Sequence, residues 1–214
     1  MLKRLVLLTE KYPDLAGCRP DLERAAELLL TCYRAGGKVL VCGNGGSAAD
    51  SEHIVGELMK GYLRKRRVPA EVRQRLTAAF PDDGAYLADH LQGALPAISL
   101  VSQVALNTAL ANDIAADMLF AQQVYGYGRP GDVLLAITTS GNSRNVVRAA
   151  QVARALGVRV IGLTGATGGA LKPLCDAAVC VPHAGAAAVQ ERHLPIYHAL
   201  CEILEEAFFG PTGD

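Results

Sequence analysis

The feature that most limits what this chain can fold into is a unit that occurs twice: a short apolar run, a turn of small polar residues, then a helix. Lys38 to Cys42 leads into Gly43-Asn44-Gly45-Gly46-Ser47 and a helix to about Tyr62. Val133 to Ile137 leads into Thr138-Thr139-Ser140-Gly141-Asn142-Ser143 and a helix to Leu156. Apolar runs without polar alternation suit parallel strands buried on both faces. Similar runs at Ala97 to Leu100, Arg159 to Leu163 and Ala177 to Val181 bring the expected strands to five. Strands alternating with helices predict an α/β fold with a mainly parallel sheet covered on both sides.

The remaining segments are helical in pattern. Two amphipathic helices, Leu2 to Tyr12 and Asp21 to Ala35, fill residues 1–36, and a last helix runs from about Ala188 to Phe209. Residues 64–95 break the rhythm. This polar stretch holds Arg64-Lys65-Arg66-Arg67, Pro69 and Pro81-Asp82-Asp83-Gly84, and reads as a helical insertion within one domain spanning 1–214. The Arg64 to Arg67 run is expected to be the solvated end of the preceding helix, where positive charge suits the helix dipole.

Composition removes several function classes. Lys plus Arg and Asp plus Glu both number 21, so no net field recruits nucleic acid or a membrane surface. There is no Trp, and few aromatic residues are present to stack bases. The six cysteines show no metal-ligand spacing and several lie in apolar runs, as expected of buried thiols in a reducing compartment. No stretch reads as a signal core or approaches the roughly 20 apolar residues of a membrane span. The expected location is the cytoplasm.

In a doubly wound sheet, ligands bind where the carboxyl ends of strands turn into helices. Glycine lets the backbone approach an anion, hydroxyls add donors, and a helix N-terminus supplies free N–H groups. Thr138, Thr139, Ser140 and Ser143 give the second turn four hydroxyls in six residues. Either turn alone reads equally well as a capped helix start, because Ser, Thr and Asn are also the preferred N-caps. Two such turns after two buried strands favour a ligand. Neither matches a nucleotide signature: the first lacks the Lys-Ser/Thr of a P-loop, and no GxGxxG follows a strand. No nucleotide cofactor is expected.

Three ordered motifs make the pattern specific: Cys42-Gly43-Asn44-Gly45-Gly46-Ser47-Ala48-Ala49-Asp50, Thr139-Ser140-Gly141-Asn142-Ser143, and Val189-Gln190-Glu191-Arg192-His193. Together they resemble the sugar isomerase (SIS) domain, and within it the phosphoheptose isomerase group, over Lys38 to Tyr62 and Ala97 to Phe209. The resemblance implies a three-layer αβα sandwich and a sugar-phosphate ligand. It also implies a homotetramer with sites at subunit interfaces. Carried onto this sequence, it assigns the phosphate to Thr138, Thr139, Ser140 and Ser143. Sugar contacts fall on Asn44, Gly45, Gly46, Ser47, Asn112, Asp113 and Gln190.

Interconverting a ketose and an aldose phosphate moves a proton between neighbouring carbons, which needs a base and an acid at the C1–C2 edge. His53 and Glu57, four residues apart, share one helix face. The resemblance makes Glu57 and His198 the catalytic pair, and makes His53, Glu57, Gln190 and His198 zinc ligands as in some members. On a regular helix, Gln190 and His198 stand about 12 Å apart along the axis, so a shared ion would have to draw both side chains toward it. His183, just after a strand, matches no motif.

The expected reaction is sedoheptulose 7-phosphate to glycero-manno-heptose 7-phosphate through an enediol. The alternative is a non-catalytic phosphosugar-binding regulator or tetrameric adaptor, which would not need both Glu57 and His198. Two departures from the group bear on specificity. Ala184-Gly185-Ala186-Ala187-Ala188 replaces a more polar segment, and the 64–95 insertion is an addition.

Overall fold

In the computed structural model, which describes residues 1–210, five parallel strands form one sheet. They are β1 (Val39–Cys42), β2 (Ala97–Ser99), β3 (Val133–Ile137), β4 (Arg159–Thr164) and β5 (Ala177–Cys180), in spatial order β2-β1-β3-β4-β5. The chain lays β2 on one side of β1 and then crosses to place β3 on the other. This change of direction makes β1 and β3 neighbours and opens a crevice beyond their carboxyl ends.

Residues of the strands point alternately to two cores, as the pleat dictates. Val39, Val41, Val133, Leu135, Ile161 and Val179 face one layer of helices. That layer comprises α1 (Leu2–Lys11), α2 (Arg19–Arg34), α3 (Gly46–Met59) and α9 (Ala186–Phe209). Leu40, Leu134, Ala136 and Val160 face α7 (Leu119–Tyr127), which comes after α6 (Val104–Leu110), and α8 (Arg144–Ala155) on the opposite side. The αβα sandwich therefore follows from central strands, β1 and β3, that are apolar and buried at every position. α2 spends its apolar face inside the chain's own core, with Leu22, Ala25, Ala26 and Leu29 all buried. Leu2 and Leu7 of α1 stay exposed. No helix among the described residues is long and apolar enough to cross a membrane.

The 64–95 stretch is a helical pair, α4 (Ala70–Ala79) and α5 (Gly84–His90). Its entry and exit meet at a neck: Arg67 and Gln92 form an antiparallel bridge, and the Gly93 amide donates to the Arg66 carbonyl. α3 ends at Met59, earlier than Tyr62, and the Arg64 to Arg67 run does not behave as one solvated helix end. Arg66 is 1 % exposed and its Nε donates to Glu205 of α9 at 2.9 Å. One cation of a four-residue basic run is therefore an interior group. The others remain exposed.

Leu134 sits fully buried at the centre of β3. Leu134→Ala should cost roughly 2–5 kcal/mol, because the sheet and α8 cannot collapse onto the space. Urea unfolding checks this, with the midpoint falling at unchanged slope.

Candidate active site

The two turns lie side by side beyond β1 and β3. Asn44 Nδ2 donates to Asn145 Oδ1, and Asn145 Nδ2 donates back to Asn44 Oδ1, both at 2.9 Å. This reciprocal amide pair spans the crevice. Asn145 was not singled out from sequence, although its place in the first turn of α8 was visible.

In the first turn, Gly45 takes φ 57°, a left-handed value that favours glycine, and Gly46 opens α3. A Cβ on Gly46 would come within 2.5 Å of Gln190 Nε2, so the Gln190 amide lies directly over this turn. Ser47 is buried behind it. In the second turn, Thr138 and Ser143 join hydroxyls at 2.9 Å, and the Asn142 amide donates to Ser140 Oγ at 3.1 Å. Gly141 has φ 68° and lies hard against the backbone of Gly168 and Gly169. Ser143 makes no side-chain cap bond to α8, whereas the Val146 amide in its first turn donates to Asn145 Oδ1 at 3.0 Å. In α3 the Ser47 and Ala48 amides donate to the Asn44 and Gly45 carbonyls, and the start of α8, with Arg144 and Asn145 amides that take no partner among the described residues, suits an anion.

A second group of polar side chains lies between α3 and α9. Tyr197 Oη donates to Asp50 Oδ1 at 3.2 Å and stands 2.9 Å from His53 Nδ1; His53 Nε2 is 3.2 Å from Glu57 Oε1. A phenol carries one proton. Given to Asp50, it leaves the Tyr197 oxygen to accept from His53 Nδ1–H. Burial, against the Tyr197 bond, raises the Asp50 carboxyl above its usual range.

Glu57 Oε2 is buried and accepts no hydrogen bond; the nearest cation, Lys60 Nζ, is 3.7 Å away. The His198 ring lies 5.0 Å from that of His53, nearly perpendicular, and 5.3 Å from that of Tyr62. His198 Nε2 is likewise buried without a partner. Burial, together with neighbouring His53, pulls the His198 pKa down, so its imidazole is neutral at pH 7. A cleft of about 320 Å³ between α1 and α9, lined by Leu8, Tyr12, Tyr62 and His198, opens beside this ring.

Of the expected site residues, His53, Glu57 and His198 come together, as do Asn44, Gly45, Gly46, Ser47 and Gln190, and so do Thr138, Thr139, Ser140 and Ser143. Asn112 and Asp113 stand apart. They lie in a π-helical turn (Ala111–Ala115), are exposed, and bond to one another at 2.8 Å. Among the described residues, no hydrogen bond links their side chains to either turn. Tyr197 and Asp50 were missed, although Asp50 lies inside a motif already noted and Tyr197 adjoins His198. His183 has a structural partner: its Nε2 is 2.7 Å from Asp14, which also accepts from Arg192. His193 is fully buried, and burial pushes it down to about 4, so it is a neutral core residue.

The expected zinc ligands do not make a ready set. Glu57 Oε2 offers an unpartnered lone pair of the kind a metal takes, and His198 Nε2 does so in the tautomer protonated at Nδ1, whereas the tautomer protonated at Nε2 is a proton donor. Among the described residues, however, no three His, Cys, Asp or Glu side chains stand close enough to hold an ion, and the Gln190 amide is over Gly46. The four residues do not fit zinc as they stand.

Comparison with known proteins agrees with this fold. The SIS domain model matches residues 17–77 and 85–165, breaking within the helical insertion. A phosphoheptose isomerase of Rhodospirillum rubrum is 41 % identical over 193 residues, covering 90 % of this chain and 89 % of the relative. The solved phosphoheptose isomerase from Francisella tularensis superposes with a TM-score of 0.75 at 33 % identity, covering 96 % of this chain and 94 % of that one. The one from Neisseria gonorrhoeae gives 0.69 at 32 %, covering 94 % and 93 %. The chain belongs to the SIS domain family.

Gly141→Ala puts a Cβ at a left-handed φ and into the Gly168 backbone. The turn must open, and affinity for inorganic phosphate or a sugar phosphate should drop by about tenfold or more, given roughly 1–2 kcal/mol for the conformation alone. Isothermal titration checks this, with far-UV circular dichroism confirming the fold.

Proposed function

We infer that this chain is an aldose–ketose phosphosugar isomerase, interconverting sedoheptulose 7-phosphate and glycero-manno-heptose 7-phosphate. The observation that carries the reading is a pair of buried, unpartnered atoms, Glu57 Oε2 and His198 Nε2, on neighbouring helices, one of which starts at the first turn. A buried carboxylate oxygen and a neutral imidazole nitrogen, each left without a partner, are costly unless a substrate completes them. The names of the relatives supply the substrate class.

In this reading the turn Thr138 to Ser143 holds the phosphate with its hydroxyls and the first N–H groups of α8. The first turn, with Asn44, Gly45, Gly46, Ser47 and Gln190, holds the sugar hydroxyls, and Asn112 and Asp113 reach it from their exposed turn. Glu57 takes the proton from C1 of the ketose as His198 delivers one to the carbonyl oxygen at C2, giving a cis-enediol. Glu57 then returns the proton to C2 while His198 accepts the one leaving the C1 hydroxyl. Atoms and charge balance over the two steps, and no redox partner is needed. His53, with Nε2 3.2 Å from Glu57 Oε1, keeps the carboxyl oriented. The phosphate is remote from the reacting carbons, so its binding energy serves to place them.

The assembly in this reading is a homotetramer in the cytoplasm. Exposed Leu2 and Leu7 of α1 and Leu194 of α9 support packing between copies, and the free cysteines among the described residues support a reducing compartment. Light scattering should return four times the 22.5 kDa chain mass. A monomer at micromolar concentration would contradict this. Zinc would have to draw Gln190 off Gly46, and metal content measured on the purified protein tests whether it does.

Glu57→Gln and His198→Asn should each lower kcat by roughly 10²-fold or more, the usual scale for proton-transfer groups, with KM little changed. Glutamine keeps the shape of Glu57 but cannot accept the proton. The decisive measurement is solvent deuterium entering C1 or C2 of the sugar phosphate. A wild-type protein that binds the sugar and exchanges nothing is a binding module, not an isomerase.

A further inference from the structure

The guanidinium of Arg66 makes three charge-assisted hydrogen bonds in the interior. Its Nε donates to Glu205 Oε1 at 2.9 Å, Nη1 to the Leu58 carbonyl at 2.7 Å and Nη2 to the Glu57 carbonyl at 2.9 Å. It also lies over the Phe209 ring, 4.7 Å from the centroid. Glu57 and Leu58 belong to the last turn of α3, whose carbonyls have no partner within the helix. Arg66 is therefore the C-terminal cap of the helix that carries Glu57, and its charge meets the negative end of that helix.

Glu205 completes the device. Its two oxygens accept from the Tyr62 and Leu63 amides at 2.8 and 2.9 Å, as well as from Arg66. Burial alone would raise its pKa, but these two amides and the guanidinium outweigh it and hold the carboxyl below its usual range, so it stays charged. Glu205 lies on α9 seven residues beyond His198, two helical turns on the same rod. One buried ion pair thus joins the end of α3 to α9. It sets the distance and rotation between the backbone carrying Glu57 and the backbone carrying His198.

We propose that Arg66 and Glu205 are positioning residues for proton transfer, fixing Glu57 against His198 through the end of α3. This rests on Glu57 and His198 being the proton-transfer pair. Neither residue touches the crevice, so their effect belongs to the chemical step rather than to the phosphate. Lysine cannot reproduce the fork: an ammonium on a flexible stem reaches one carbonyl or the carboxylate but not all three acceptors in one plane.

The test uses full-length Arg66→Lys and Glu205→Gln, each measured as kcat and KM per mole of folded protein beside Glu57→Gln. The expected result is a fall in kcat of about tenfold or more with KM within about threefold, the signature of a lost transition-state interaction. A purely structural role would lower the melting temperature and leave kcat of the folded protein intact, and that result in either variant overturns the proposal. Glu205→Gln, which keeps an oxygen for the Tyr62 amide, carries the test should Arg66→Lys not fold. If Glu57→Gln retains wild-type turnover, the base assignment fails and the positioning role falls with it. If Glu57→Gln is inactive while both other variants turn over normally, only the positioning role fails.

Discussion

Everything at the candidate site depends on the reversal of strand order between β1 and β3. A parallel sheet places all its turns into helices along one edge, yet only where the chain changes direction do two such turns stand apart enough to admit a ligand. The pairing of Val41 with Leu135 and Cys42 with Ala136 fixes how far each strand reaches before it turns. Gly45 and Gly141, both at left-handed φ, then set the turns themselves. The Asn44–Asn145 pair ties the first turn to the start of α8, so the second turn and the start of α3 are parts of one framework.

In the proposed function the same topology separates grip from chemistry. Hydroxyls and free N–H groups sit on turns at the strand ends, whereas Glu57, His53 and His198 are presented by helix faces. α3 begins at the first turn and carries Glu57 along its length, so a single rigid element joins the two functions. Sites held on helices keep tighter geometry than sites on loops. The pair of α3 and α9 is accordingly where small changes in packing reach the chemistry.

Much of this was legible from sequence because it is local. The five strands announce themselves as apolar runs, and the turns as clusters of Gly, Ser, Thr and Asn. His53 and Glu57 declare a shared face by their spacing. What was not legible is long-range. Tyr197 bonds Asp50 across 147 positions, and Arg66 meets Glu205 across 139. In the sequence, Arg66 is one of four neighbouring cations, and nothing in periodicity distinguishes the one that turns inward. The Asn112-Asp113 pair shows the converse: a dipeptide that the resemblance assigns to the sugar sits exposed in a π-helical turn. The reach of α3 was overestimated because Lys60 leaves helical geometry, with φ −139° and ψ 174°, where Arg66 takes over the carbonyls.

The Arg66–Glu205 pair also poses an energetic question whose answer bears on function. Desolvating two charges costs several kcal/mol each, and a buried ion pair commonly does no better for stability than apolar groups of the same shape. Stability alone is thus a weak reason for charge at this place. Geometry is a stronger one. An apolar side chain of similar volume would pack against Phe209, but it would leave the Glu57 and Leu58 carbonyls and the Tyr62 and Leu63 amides with fewer partners. Each buried group without a partner costs roughly 1–3 kcal/mol, and the end of α3 would be free to shift to relieve it. The ion pair removes that freedom by satisfying main-chain groups of α3 and of the segment after it at one point on α9. A helix end held by directional bonds returns to the same position after every fluctuation. That is what a carboxylate needs if it is to meet a carbon-bound proton at the reach of one bond.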